Sequence, residues 1–190
     1  MNKFSLLRLF GDKHMGLWGA SDSDESKPKN LTTAEKKEVF ANASGWVREA
    51  GSALTGNDNT SADPEVLVAI GGLAVSIGAA DITEIEFVTT AFDKSEGGNI
   101  DMLVRFNEPV DVTGTPQFLI TNNTSSSRNI TANYLSGTGT NELTFRKTIA
   151  AANAATNAND VLKVVANPVS LNSGTIKDAG TNTASTITSA

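Results

Sequence analysis

Between Asn99 and Ile120 the chain reads NIDMLVRFNEPVDVTGTPQFLI, with apolar side chains at Ile100, Met102, Val104 and Phe106. Successive side chains of a strand point to opposite faces, so this period of two buries one face and leaves Asp101 and Arg105 on the other. Proline cannot donate to a ladder, which predicts a strand end at Glu108-Pro109. A turn through Gly114 then leads into TPQFLIT, which offers Phe118 and Ile120 to the same core. The expectation is two neighbouring core strands joined by a loop.

The same alternation recurs on either side. ITEIEFV turns Ile85 and Phe87 inward, NITANYL supplies Ile130, Ala132 and Tyr134, and the glycine turn SGTGTNE leads into LTFRKTI with Leu143, Phe145 and Ile149. Lys147 shares that inward face and is expected to snorkel where its strand leaves the core. AAANAATNANDVLKVV reads as a loop followed by a strand containing Val161, Leu162, Val164 and Val165. SLNSGTIKDAGTNTASTITS reads as a turn, a short element at Ile176, a loop from Asp178 to Asn182 and a closing strand. Short strands at turn-punctuated intervals, without intervening helices, predict an antiparallel β-sandwich over residues 81–190.

Residues 1–80 differ in composition and are expected to form an N-terminal docking arm or small assembly region. TTAEKKEVFANASGWV predicts a short helix with Thr32 or Thr33 as N-cap, Glu35 near the capping-box position, and Val39 and Phe40 on its apolar side. So short a helix needs a partner surface. GASDSDESKPKN is too polar to order itself, and GSALTGNDNTSADP reads as a linker. EVLVAIGGLAVSIGAADI fits a buried strand, an insertion into a neighbour or a sandwich edge. Aromatic side chains carry much of the energy of protein interfaces, so Leu17, Trp18, Val39, Phe40, Trp46 and Val47 are the expected interface residues.

Composition excludes several chemistries. A net charge of −6 disfavours nucleic acid, whose affinity depends on neutralising phosphates. With no cysteine and a single histidine, His14, thiolate sites, disulfides and histidine dyads are ruled out. The opening MNKFSLLRLFGDKH is interrupted by Arg8 and ends in charge, unlike a secretory leader, and no apolar run approaches a bilayer span. Asp93, Glu96, Asp101, Glu108, Asp111 and Asp178 lack the regular spacing of a calcium loop, and Asp178 and Asn182 are expected to turn their own loop. Glu84 with Glu86, or Asp93 with Glu96, are the carboxylate pairs available for glycoside hydrolysis, but nothing distinguishes them from the outer face of a strand. There is no G-x-S-x-G elbow and no phosphate-binding glycine pattern. The expectation is a protein that is not an enzyme, with no catalytic residues, cofactor or metal.

FNEPVDVTGTPQFLI, ANYLSGTGTNELTFRKTIAA and SLNSGTIKDAG, in that order, resemble the immunoglobulin-like repeats of large bacterial surface adhesins. In those repeats a strand carries F-x-E-P-V, followed by V-T-G-T-P, Y-x-S-G-x-G-T, L-T-F and L-x-x-G-T-I-x-D. The resemblance covers residues 82–190 and implies a mainly β, immunoglobulin-like antiparallel β-sandwich preceded by an extended N-terminal arm with a short helix. Here the repeat occurs once.

MGLWGASDSDESKPKNLTTAEKKEVFANASGWV, with PEVLVAIGGL and ADITEIEFV, is similar to the N-terminal segments of virion structural proteins of marine tailed phages, notably cyanophages. If Met15 is the usual start, residues 1–14 are an upstream extension. This resemblance implies a phage structural protein made in the host cytoplasm. Its expected place is the virion, on the capsid exterior as decoration or cement, with a tail or neck location as the alternative. Implied partners are the major capsid protein or other virion subunits, further copies of the chain as a homo-oligomer, and weakly bound host-surface carbohydrate, with no nucleic acid or membrane. The rival from another class is a cell-surface adhesion or carbohydrate-binding module.

Overall fold

The computed structural model describes residues 27, 28, 30–56, 58–151 and 157–189. The alternating run at residue 100 forms the central strand β5 (Gly98–Thr113), in which Ile100, Met102, Val104 and Phe106 are buried. Along its first half β5 lies between two antiparallel neighbours. β4 (Ile82–Phe87) sets Ile85 opposite Val104, and β8 (Thr140–Ile149) sets Phe145 opposite Met102.

Pro109 does not end this strand. The register against β8 slips between Arg105 and Val110, so the missing proline N–H falls where the ladder is already broken. Beyond the slip, β11 (Thr175–Asp178) pairs with β5, with Asp178 opposite Val110, and the Pro109 carbonyl accepts from Ala179 N at 3.0 Å.

The strand that resumes after Gly114, β6 (Gln117–Asn122), is not β5's neighbour either. It pairs with β7 (Ile130–Ser136), which pairs in turn with β8. The connection folds tightly because Gly114 adopts φ +72° and a Cβ there would lie 2.8 Å from Gly174 Cα. β6 also pairs with β9 (Leu162–Lys163) and β10 (Val169–Ser170). The order is therefore β10-β6-β7-β8-β5-β11, with β4 on β5 and β9 on β6.

This mainly β, antiparallel sheet curls so that one face encloses a core. Phe118, Ile120, Ile130, Ala132, Leu143, Phe145 and Ile149 meet the β5 side chains there, and Tyr134 packs edge-on to Phe145 with ring centroids 6.1 Å apart. Each fully buried large apolar side chain stabilises the fold by about 1.5–3 kcal/mol. Lys147 is exposed, but its strand has not left the core there, because Ile149 on the same face is buried.

Two C-terminal expectations are corrected. Only Leu162 and Lys163 are in strand, with Val161 and Val165 exposed while Leu162 and Val164 pack on the core. In place of a closing strand there are two single bridges, Ala184 to Lys177 and Thr186 to Asp81. Asp178 does turn its own loop, its carboxylate accepting from Gly180 N and Thr181 N at 2.6 and 2.7 Å.

The front of the chain is also ordered as sheet. Helix α1 (Thr33–Lys37) begins with Thr32 as N-cap and Glu35 completing the capping box, as the sequence predicts. It stops at Glu38, however, and Val39 and Phe40 belong to strand β1 (Val39–Asn42) rather than to a helical face. β1 forms a hairpin with β2 (Gly45–Arg48), where Asn42 Oδ1 accepts from Ser44 N at 2.8 Å. β-branched and aromatic residues suit a pleated surface, and this turn chemistry closes it. β3 (Glu65–Ala69) completes the small sheet as its edge, a half-exposed strand and not the buried strand or sandwich edge that EVLVA also allowed.

Val39, Ala41 and Trp46 pack with Leu73 and Ile77 on one face of the hairpin. On the other face Phe40 lies opposite Val47, both buried, and β1 runs against β5. The segment expected to lack a surface of its own thus has one within the chain.

Charge holds the seam between the two sheets. Arg105, on the outer face of β5, donates to Glu142 at 2.6 Å, Glu84 at 2.8 Å and Glu86 at 3.1 Å, and lies 3.8 Å from Glu49, which follows β2. Glu49 accepts from Asn141 Nδ2 at 2.8 Å, and Lys37 pairs with Glu84. Burial alone would raise the Glu84 carboxyl, but its bonds to Lys37 and Arg105 hold it below the usual range.

Truncating a large core side chain costs about 3–5 kcal/mol. The Trp46→Ala variant of the free protein is therefore expected to lose that much stability in urea unfolding. A side chain that served only to anchor the chain to another subunit would leave this midpoint unchanged.

Candidate functional site

Where β4 ends, the chain stays attached to β5 before crossing the end of the curled sheet. Val88 N donates to Asp101 O at 3.0 Å, and Thr89 Oγ1 both donates to Asn99 O and accepts from Asp101 N. Asp93 then folds the loop back, its side chain accepting from Ser95 N at 2.7 Å and its carbonyl from Gly97 N at 2.9 Å.

Beneath this loop lies an apolar cavity of about 340 Å³ walled by Phe87, Phe92, Ile100 and Leu162. A wider depression of about 830 Å³ shares Phe92, Ile100 and Leu162 and adds a polar rim of Asp93, Lys94, Ser95, Asn157 and Asp160. The floor therefore comes from the core strands and the rim from two loops far apart in sequence.

Asp160 is fixed on that rim. Arg128 grips it with two nitrogens, Nη2 to Oδ1 at 2.7 Å and Nε to Oδ2 at 3.1 Å, and Asn157 N donates to it at 2.7 Å. The Arg128 hydrogen bonds hold its carboxyl down at about 2. Asp160 is thus an ionised acceptor at any ordinary pH, unsuited to carrying a proton in catalysis. An apolar floor with fixed acceptors, a hydroxyl and a lysine at its edge suits reversible binding of a small molecule that has one apolar face.

The expected interface residues are placed elsewhere. Leu17 and Trp18 lie outside the described residues. Val39 and Trp46 are in the small core, and Phe40 and Val47 are buried on the other face of the hairpin. The structure does bring these four together, but as interior and not as a docking surface, because the alternation of β1 and β2 buries both faces of the hairpin.

Glu84 and Glu86, the carboxylate pair considered for hydrolysis, share the Arg105 guanidinium, and Asp101 is paired with Arg146 at 2.6 Å. The sequence reading missed Arg105 as a centre, and it missed the Phe92 cavity. Arg105 was visible as an outward residue of an alternating strand, but its acidic neighbours depend on which strands pair.

No protein-family model matches the chain, and neither a curated protein nor a solved structure matches it. Among the described residues, no helix is long and apolar enough to cross a membrane.

A carboxyl titration followed by NMR is expected to show Asp160 with its midpoint near 2. The same carboxyl should return toward the ordinary aspartate range in Arg128→Gln. Because the folded value lies below the unfolded one, the contribution of this pair is present above the unfolded pKa and is lost as pH falls through about 2.

Proposed function

We propose that the chain is a structural protein of a tailed-phage particle, a decoration or cement subunit whose front part docks on the capsid shell and whose rear part projects as an immunoglobulin-like module. One observation carries this reading. The segments on which the resemblance to immunoglobulin-like repeats rests meet at one place in the fold. Val110, following F-N-E-P, lies opposite Asp178 of G-T-I-K-D and opposite Thr140 of the S-G-T-G-T turn, and its carbonyl accepts from Gly139 N at 2.8 Å. Tyr134, which opens that turn motif, accepts through its hydroxyl from Thr138 N at 2.9 Å. Motifs that depend on one another for their hydrogen bonds support a repeat-like unit with a core of its own.

The carboxylates of the seam are engaged in joining the two sheets, which suits a load-carrying body more than a reactive one. Between residues 81 and 190 there are 11 acidic and 7 basic residues, a balance that favours solubility of an outward-facing module.

Docking is assigned to Leu17 and Trp18 of the front part, since Val39, Phe40, Trp46 and Val47 are occupied internally. The partner is the major capsid protein or another virion subunit, with a tail or neck position as the alternative. A subunit that bridges neighbours on a symmetric lattice repeats a modest contact energy many times.

A second reading, a carbohydrate-binding adhesion module, is favoured by the Phe92 cavity. Its apolar floor suits the C–H face of a sugar ring, and its polar rim suits the hydroxyls at the ring's edge.

Immunogold electron microscopy with an antibody to residues 81–190 is expected to decorate the heads of particles. Label confined to tails would move the protein to the tail or neck, and unlabelled particles would end the virion reading. Chemical-shift perturbation at Phe92 and Leu162 by a panel of host glycans would support the adhesion module instead.

A further inference from the structure

The seam between the small sheet and the main sheet is unevenly charged. Four carboxylates, Glu49, Glu84, Glu86 and Glu142, surround the Arg105 guanidinium within 4 Å, and Lys37 pairs with one of them, Glu84. The groups come from each element at the joint. α1 contributes Lys37, with Glu38 just beyond it; β4 contributes Glu84 and Glu86, β5 contributes Arg105, and β8 contributes Glu142 with Asn141.

Glu84, Glu86 and Glu142 lie on strands of one sheet, so their places are fixed whether or not the small sheet is docked. Glu49 is different, because it reaches these groups from the small sheet. It is brought there by β2, and its N–H donates to Glu38 O at 2.9 Å. Docking therefore carries a fourth carboxylate into a site where Arg105 already serves three.

We propose that the contact between the small sheet and the main sheet is proton-dependent, tight when the Glu49 carboxyl is protonated and weakened when it ionises. Asn141 Nδ2 donates to one Glu49 oxygen, which leaves the other free to carry the proton. Burial pushes the Glu49 carboxyl up to about 7, with repulsion from Glu142 adding to the effect and Asn141 and Arg105 opposing it.

The sign follows from linkage. A carboxyl whose value is higher docked than undocked binds more protons in the docked state. Docking is thus strongest below the ordinary glutamate range, weakens as pH rises through about 7, and levels off above that. Glu84 and Asp101, held below their usual values by their cation partners, act at lower pH and do not obscure this window.

The test uses the full chain and its Glu49→Gln variant, which keeps an oxygen for Asn141. Thermal unfolding midpoints are measured from pH 5 to 8.5, together with a carbon-13 carboxyl titration of the glutamates in the unsubstituted protein. Every titratable group other than Glu49 is common to both proteins and cancels in the difference between them. The expected result is a midpoint that falls with pH in the unsubstituted chain and is nearly flat in the variant. Docking is expected to weaken on the order of 100-fold across the window. The titration is expected to show a glutamate with its midpoint near 7. Parallel pH profiles for the two proteins, or no glutamate titrating above pH 6, would overturn the proposal.

Discussion

β5 cannot satisfy both of its edges with the same neighbours along sixteen residues, and the fold is arranged around that constraint. Twisted strands diverge, so a long central strand tends to exchange partners along its length. In β5 the exchange falls between Arg105 and Val110, where the ladder to β8 slips and β4 gives way to β11. Asn107 and Glu108 are fully buried in this stretch, and Asn107 Oδ1 accepts from Asp81 N at 2.8 Å. A side chain there does the work of a missing ladder bond. On the enclosed face the Phe118 ring of β6 lies 5.8 Å, centroid to centroid, from Phe145 on β8 although β7 lies between them.

Arg105 lies immediately before the slip, on the opposite face from the core. Its charge in a partly enclosed place is tolerated because carboxylates from β4 and β8 meet it directly, and truncating one partner of so enclosed a pair leaves the rest uncompensated. The small sheet then adds Glu49 to the same group. The two sheets are thereby coupled where β1 runs against β5 and through a network with more acid than base.

Much of the rear fold was legible. Ile100, Met102, Val104, Phe106, Phe118, Ile120, Leu143 and Phe145 are all buried as their alternation requires, since a period of two has one solution when one face meets a core. Thr32 and Glu35 likewise marked a helix start through purely local hydrogen bonds. Local rules failed where contacts at long range decide. The capping box of α1 invited a longer helix through Val39 and Phe40, yet their pairing with β2 and their burial outweigh helical propensity. Pro109 carries a strong local stop signal that a register slip makes harmless.

The candidate cavity was the least legible part, because its floor and rim combine residues near 90, 100 and 160 that no spacing connects. Arg128 and Asp160 are 32 positions apart and meet only because β6 holds both β7 and β9.

The sequence by itself determined that the chain is mainly β, which side chains of its longer strands face inward, and where its helix begins. Those properties depend on neighbours one to four residues away. The tertiary structure alone decided which strands pair, where β5 changes partners, that Trp46 is interior, and that four glutamates share one arginine. These depend on closing loops of many residues, and the free energy that selects among such closures comes from burial and charge pairing over the whole molecule.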